Sequence, residues 1–161
     1  MVDRLRIVSN TGQNLRVNPD TGVAIVDSPI AYAAVDQNFG IQPTIAGVAY
    51  TNPVPNAAST QLLDIDADLD VLAQQNPANA GTLSTRGSLT VRTNELVGFD
   101  IALLNGLNVG YAAMKIGGQG SGRECGNSSL VQINLMTGAA TILGGSVRSS
   151  RSPDWPPISR R

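Results

Sequence analysis

A strand–turn–strand unit recurs three times in this chain, and that repetition limits the folds open to it. Val17-Asn18-Pro19-Asp20-Thr21-Gly22-Val23-Ala24 aligns with Ile133-Asn134-Leu135-Met136-Thr137-Gly138-Ala139-Ala140. A more diverged copy, Ile65-Asp66-Ala67-Asp68-Leu69-Asp70-Val71-Leu72, lies between them. The first interval is 48 residues and the second 68. A period of about 50 residues, filled with short strands and turn signals, is what four-stranded propeller blades produce. The longer interval contains the glycine-rich stretch Gly117–Gly126, which reads as an inserted loop.

Local patterns fill in the strands. Leu5–Val8 is short, apolar and rich in β-branched residues, and Asn14–Asn18 alternates with period two. Pro19-Asp20-Thr21-Gly22 supplies turn chemistry, because Pro fixes φ and Gly accepts positive φ. Val23–Val26 then returns, which makes a hairpin. Further strands are predicted at Ile45–Tyr50, Thr60–Asp66, Val71–Gln74, Leu96–Ile101, Val109–Met114, Ser129–Asn134 and Ala140–Leu143. Helical periodicity is poor. The acids at 64, 66, 68 and 70 keep period two, not 3.6. The expectation is an all-β, propeller-like domain over 1–145, an open arc of about three four-stranded antiparallel blades (units roughly 1–30, 31–90 and 91–145). Residues 146–161 carry four Arg, one Asp and three Pro without a strand period, and read as a disordered tail.

Composition narrows the chemistry. There is no His among the 161 residues, which removes Ser-His-Asp and Cys-His nucleophile pairs and His-ligated zinc or copper. One Cys excludes an internal disulfide. A net charge of −1 from 11 basic and 12 acidic residues argues against a general grip on nucleic acid and against a basic membrane-surface domain. No apolar run is long enough to span a bilayer, and the N-terminus lacks the apolar stretch of a signal peptide.

The sharpest candidate for chemistry is the acidic run Asp64, Asp66, Asp68 and Asp70. In an extended chain all four carboxylates share one face, opposite Leu63, Ile65, Ala67 and Leu69. No Lys or Arg lies between Leu62 and Thr85 to neutralise them. Oxygen-only ligands this close suit Ca²⁺. The spacing starts like an EF-hand loop but fails it, with Val71 where Gly is required and Pro77 where Glu is required. The competing reading is a solvated turn in which Asp68 takes the place of Asp20. Asp100, at the end of the predicted inner strand of the third unit, either faces a central channel or bonds the backbone of its own turn. Gly117–Gly122 matches neither a phosphate loop nor a nucleophile elbow. Cys125 beside Glu124 has no His to act as base. Asn10, Asn14, Asn18 and Asn134 sit at repeat turns, where Asn stabilises tight geometry.

The segment DRLRIVSNTGQNLRVNPDTG, residues 3–22, resembles the signature of a bacterial family of propeller-like proteins of unknown function. The resemblance continues through Ala49–Asn52, through LLDIDADLDVLAQQNPANAGTLSTRGSL at 62–89 and LVGFDI at 96–101, and weakly to Leu143. It implies a propeller-like fold and an exported protein with further repeats ahead of this segment. It implies no activity. Relative to that pattern, the absent repeats and the Arg-rich end suggest a shortened or shifted reading of a longer ancestor. Three blades do not close a ring, so exposed edges and faces lead us to expect a homo-oligomer that completes one.

Three functional classes follow. The first is a Ca²⁺-dependent hydrolase of a small lactone or ester. By fold-level analogy with propeller enzymes such as gluconolactonases and paraoxonases, Asp64, Asp66, Asp68 and Asp70 hold the metal, and Asp66 and Asp100 assist as base. The second is a non-catalytic ligand- or protein-binding module, which needs neither metal nor base. The third is a non-functional fragment of a longer protein.

Overall fold

The computed structural model describes residues 4–94, 97–116 and 127–145. Within them the chain is almost entirely β. Twelve strands run in order: β1 (Leu5–Val8), β2 (Asn14–Val17), β3 (Ala24–Val26), β4 (Ala31–Tyr32), β5 (Ile45–Tyr50), β6 (Leu62–Asp66), β7 (Val71–Gln75), β8 (Thr82–Ser88), β9 (Val97–Leu104), β10 (Leu107–Ile116), β11 (Asn127–Ile133) and β12 (Ala140–Gly145). One turn of 3₁₀ helix, Ala78–Ala80, joins β7 to β8. The strands form three sheets, ordered β1-β2-β3, β4-β8-β7-β6-β5 and β12-β11-β10-β9. None closes on itself, so the architecture is an open, propeller-like arc. The sheets hold three, five and four strands rather than four each. The fifth strand of the second sheet is β4, which pairs with β8 in parallel. It is two residues long, too short to leave a periodic signal in the sequence.

The repeated unit is a turn with a fixed hydrogen-bonding plan. At the first copy, Asn18 Oδ1 accepts from the backbone N–H of Asp20 at 2.9 Å and of Thr21 at 3.3 Å. Gly22 N–H donates to the Asn18 carbonyl at 2.9 Å. At the third copy, Asn134 Oδ1 accepts from Met136 and Thr137, and Gly138 N–H donates to the Asn134 carbonyl. At the middle copy Asp66 takes the place of Asn, accepting from Asp68 N–H at 3.1 Å and Leu69 N–H at 3.3 Å. The fourth residue after the cap is left-handed each time: Gly22 at φ 70°, Gly138 at φ 81° and Asp70 at φ 51°. Gly enters that region freely, and Asp is among the few other residues that tolerate it.

The longer second interval has a different cause from an inserted loop alone. The first copy joins β2 to β3 and the second joins β6 to β7, each the second and third strands of its own hairpin series. The third joins β11 to β12, so one additional strand separates it from the middle copy. The glycine-rich stretch and the tail at 146–161 lie outside the described residues.

The two seams between sheets differ in chemistry. Leu63 and Ile65 of β6, Leu72 of β7, Ile101 of β9, Met114 of β10 and Val131 and Ile133 of β11 are all buried in one apolar cluster between the second and third sheets. Against the first sheet, the second presents Ile30, Tyr32, Ile45, Ala73 and Leu83, but there only Val8 of β1 adds an apolar side chain. The rest of that seam is polar. Consequently β6 is buried along its whole length, Asp64 and Asp66 included.

Gly87 marks where the third repeat turn presses on β8. A Cβ there would run into the backbone carbonyl of Thr137, and a Cβ on Gly138 would meet the Gly87 carbonyl. Neither contact is with a side chain that can swing away. Gly87→Ala is therefore expected to cost about 1–3 kcal/mol, read as a lowered urea midpoint at unchanged m. An unchanged midpoint would show that the seam yields.

Candidate functional site

The four carboxylates do not share a face. Strand β6 ends at Asp66, and residues 67–70 make the turn, so the period of two stops where the cluster was expected to continue. Each acid then meets different partners. Asp66 Oδ2 accepts from the Tyr32 hydroxyl at 2.8 Å, while its Oδ1 caps the turn and accepts from Thr44 N–H at 3.4 Å. Asp68 is exposed and accepts from the Thr44 hydroxyl at 2.8 Å. Asp70 Oδ1 accepts from Thr93 N–H at 2.7 Å, and partial burial raises its carboxyl above the ordinary range. Oxygens already surrounded by N–H and O–H donors face positive dipoles, which disfavours a cation at the same place. Among the described residues no three His, Cys, Asp or Glu side chains are grouped to hold a metal ion.

Asp100 is placed apart from these. It lies mid-strand in β9, opposite Tyr111 of β10, on the exposed face of the third sheet. Its neighbours Phe99 and Ile101 alternate inward to the core. The Asp100 carboxylate accepts from the N–H of Ile101 at 2.8 Å, the backbone-bonding alternative to a channel role.

The remaining acid, Asp64, is the anomaly. It is 0% exposed, and neither carboxylate oxygen has a hydrogen-bond partner. Its side chain falls on the face of β6 turned to the first sheet, cross-strand from Val48 and Ala73. Burial pushes its carboxyl up to about 8, with the charge of Arg6 pulling the other way. Asp64 is thus held protonated at neutral pH.

The polar seam explains the anomaly's surroundings. Arg4, Arg6 and Arg16 fall on one face of the first sheet, since Arg6 pairs across from Arg16 and Arg4 precedes Arg6 by two. Two guanidinium groups directly opposite repel unless an anion lies between them. Asp27 supplies it. Arg6 Nη1 donates to Asp27 Oδ2 at 2.7 Å, and Arg16 Nε and Nη2 donate to Oδ2 and Oδ1 at 2.8 and 2.9 Å. The hydrogen bonds from Arg16 are the main cause that holds the Asp27 carboxyl below its ordinary value. Arg6 also donates to Asn14 Oδ1 at 2.7 Å and, across the seam, to Asn79 Oδ1 at 2.8 Å. Asn14 Nδ2 donates to the carbonyls of Ser28 and Ala78. The first sheet is thereby fastened to the β7–β8 connection by polar bonds.

Between these bonds lies a cleft of about 860 Å³. Its walls are the Arg face of the first sheet, the β5–β6 loop from Thr51 to Gln61, and the end of β7 with its connection to Asn79. Among the described residues, three Arg and seven Asn or Gln line it, with Tyr50 as its aromatic and no Asp or Glu. Two lining side chains carry buried atoms without a partner: Arg6 Nε, a donor, and Gln75 Oε1, an acceptor. Gln75 is 2% exposed, and its Nε2 donates to the Ala78 carbonyl at 2.6 Å. Both atoms lie behind the wall with almost no accessible surface, so they mark polar strain in the packing of this seam. None of Arg6, Arg16, Asp27, Tyr50 and Gln75 was a sequence candidate. The available signal was the spacing by two of Arg4, just before β1, and Arg6 within it, in a chain of only 11 basic residues.

No curated protein matches this chain, and no solved structure does either. A family profile, the domain of unknown function DUF4394, matches residues 1–152. With its repeated capped turns, its open β arc and a profile match over nearly its whole length, the chain belongs to the family described as the domain of unknown function DUF4394.

Proposed function

We propose that this protein is a non-catalytic binding module that takes a small polar ligand in the cleft between its first and second sheets. The observation that carries this reading is a cleft of about 860 Å³, large enough for a small organic molecule, whose described lining is dominated by arginine and carboxamide side chains. The hydrolase reading needs carboxylates that converge on one cation. Asp66 and Asp70 instead cap and brace a turn, and Asp100 faces away from the core. The third class, a fragment without function, predicts no cooperative unfolding.

Ligand-observed NMR with a library of small polar compounds tests the binding reading. Hits are expected, and they are expected to weaken at least tenfold in Arg16→Gln, whose side chain is part of the lining. A library without hits, in a sample that melts cooperatively, would overturn it. The rival is tested on the same sample with lactones and nitrophenyl esters, in Ca²⁺ and then in chelator. Turnover that requires Ca²⁺ would replace the binding reading with the hydrolase.

Association of copies is a separate proposal, supported by the outer face of the first sheet. Leu5, Ile7 and Val26 share that face and are 57%, 43% and 79% exposed. Contiguous apolar side chains on an unpartnered sheet favour pairing with a second copy. Light scattering at micromolar concentration is expected to show a dimer or larger, and a clean species of 16.7 kDa would rule this out.

A further inference from the structure

Resting on the association of copies proposed above, we infer that this chain pairs with a second copy through the outer face of its first sheet, the two like faces meeting across a twofold axis. The seams inside the chain set the precedent.

Aligning the repeat turns on Asn18, Asp66 and Asn134 makes Leu15 and Val17 of β2 equivalent to Leu63 and Ile65 of β6, and to Val131 and Ile133 of β11. The second and third sheets join through these equivalent faces, with Leu63, Ile65, Val131 and Ile133 buried in one cluster. The polar seam follows the same rule. Asn14 and Arg16 of β2 are equivalent to Leu62 and Asp64 of β6, and both pairs point between the first and second sheets. Neighbouring sheets thus meet like face to like face. By that rule, the face that carries Leu15 and Val17 is left without its match among the described residues.

The chemistry of that face suits burial. Leu5, Val17 and Ala24 cross it in one row, and Ile7, Leu15 and Val26 in the next. All six are apolar, and all are exposed or half-buried. In the covered seam, the residues opposite Ile65 and Leu63 are Gly47 and Ala49, and those opposite Ile133 and Val131 are Gly110 and Ala112. Small residues stand there because Phe99 of β9 takes the space: a Cβ on either glycine would meet it. The first sheet carries Leu5 and Ile7 at the same places, so the bulk that Phe99 brings to the covered seam is part of the face itself. A second copy offers a surface of identical chemistry, and a twofold axis covers both at once.

Closure of a ring would instead set this face on the outer face of another copy's third sheet. Asp100, Tyr111, Gln132 and Thr141 cross that surface in register. Covering it with aliphatic side chains would strip water from the Asp100 carboxylate without supplying a partner. Three strands of about four residues give the first sheet's face a plan area of roughly 200 Å². That is small beside the roughly 800 Å² per partner of a standard interface, so the pairing belongs to the weak, reversible class.

Sedimentation of the whole chain across the micromolar range tests the inference. The parent is expected to pass from monomer to dimer and no further. Ile7→Lys and Ile7→Glu, each alone, are expected to weaken pairing at least tenfold. An equimolar mixture of the two is expected to restore it, because a twofold interface takes this face from both copies and the opposite charges attract. Leu130→Lys, on the exposed face of the third sheet, is expected to leave pairing unchanged. Should the Ile7 variants fail to fold, Val26→Lys and Val26→Glu on β3 repeat the test. A parent that stays monomeric throughout overturns this inference and the association proposal together, and points to cover by a segment of the chain itself. A parent that associates, with the Ile7 and Val26 variants associating equally well, keeps the association and overturns this face. Failure of the mixture to restore pairing overturns the twofold arrangement, and loss of pairing in Leu130→Lys would then assign the ring.

Discussion

Replacing Asp64 with Asn raises the stability of this protein above pH 7 and changes it little near pH 4.5. Asp64 is fully buried with no hydrogen-bond partner, and its folded carboxyl titrates at about 8. In the unfolded chain the same group titrates at about 3.9. The folded state therefore binds the extra proton across the window between those values, and stability falls as pH rises through it. Below the window both states are protonated and nothing is lost. Above it both are ionised, and the whole cost, roughly 6 kcal/mol as an upper figure, is present. An Asn at 64 does not titrate, but it leaves a buried amide unpartnered, a cost of about 1–3 kcal/mol. The variant is thus expected to gain about 3–5 kcal/mol at most over the parent above pH 8, and its pH profile is expected to be flat where the parent's slopes. Urea unfolding at several pH values between about 4.5 and 8.5 measures this. A parent profile that is itself flat over that range would show that Asp64 is charged and compensated in the fold.

The second large effect is expected at Asp27, with the opposite sign in pH. Arg6 and Asp27 have side chains only 6% exposed, and Arg16 leans on the same carboxylate. Asp27→Asn leaves two guanidinium groups facing each other across β1 and β2 with no anion between them. Removing one partner of a buried pair costs about 3–5 kcal/mol. The bond network through Asn14 and Asn79 would loosen with it, so the first sheet is expected to open before the other two. Amide exchange in β1 and β2 is expected to accelerate much more than in β6 or β10. The carboxyl of Asp27 is lowered in the fold, so its stabilisation is complete above the ordinary Asp value and is lost as pH falls through the lowered one. With Asp64 acting on the alkaline side, the parent is expected to be most stable near about pH 4–5. Asp27→Asn should shrink the acid limb and leave the part carried by Asp36, whose carboxyl is also lowered in the fold. Uniform acceleration of exchange across all three sheets would show that the first sheet has no separate stability.

Together the two acids describe how the seam between the first and second sheets is held. It lacks the apolar cluster that joins the second sheet to the third. Arginine and carboxamide bonds replace it, and such bonds leave polar space beside them where well-packed aliphatic side chains would not. The cleft is a consequence of this chemistry rather than an addition to it.

Much of the fold was legible before any coordinates. The Asn18, Asp66 and Asn134 turns align residue by residue, because a capping oxygen and a left-handed position four residues on are local requirements that sequence records directly. Strands such as Ile45–Tyr50 and Leu5–Val8 follow from β-branched residues and period two. Strand β4 was invisible because two residues show no period. Strand β8, Thr-Leu-Ser-Thr-Arg-Gly-Ser, is polar enough to read as loop, and its place in the sheet depends on β7 beside it.

The site was much less legible. Residue order and composition set which residues could turn, which could alternate and which chemistries were closed to a chain without His. They also set four acids in a row, but not where the strand would stop. Packing of the sheets settled that, by capping the turn with Asp66, burying Asp64 and turning Asp70 toward Thr93. It alone brought Arg6 to Asn79, which is 73 residues away. Turn geometry is a property of a few consecutive residues. A cleft is a property of segments distant in the chain, and the partners that leave Arg6 Nε and Gln75 Oε1 unsatisfied exist only once the sheets have met.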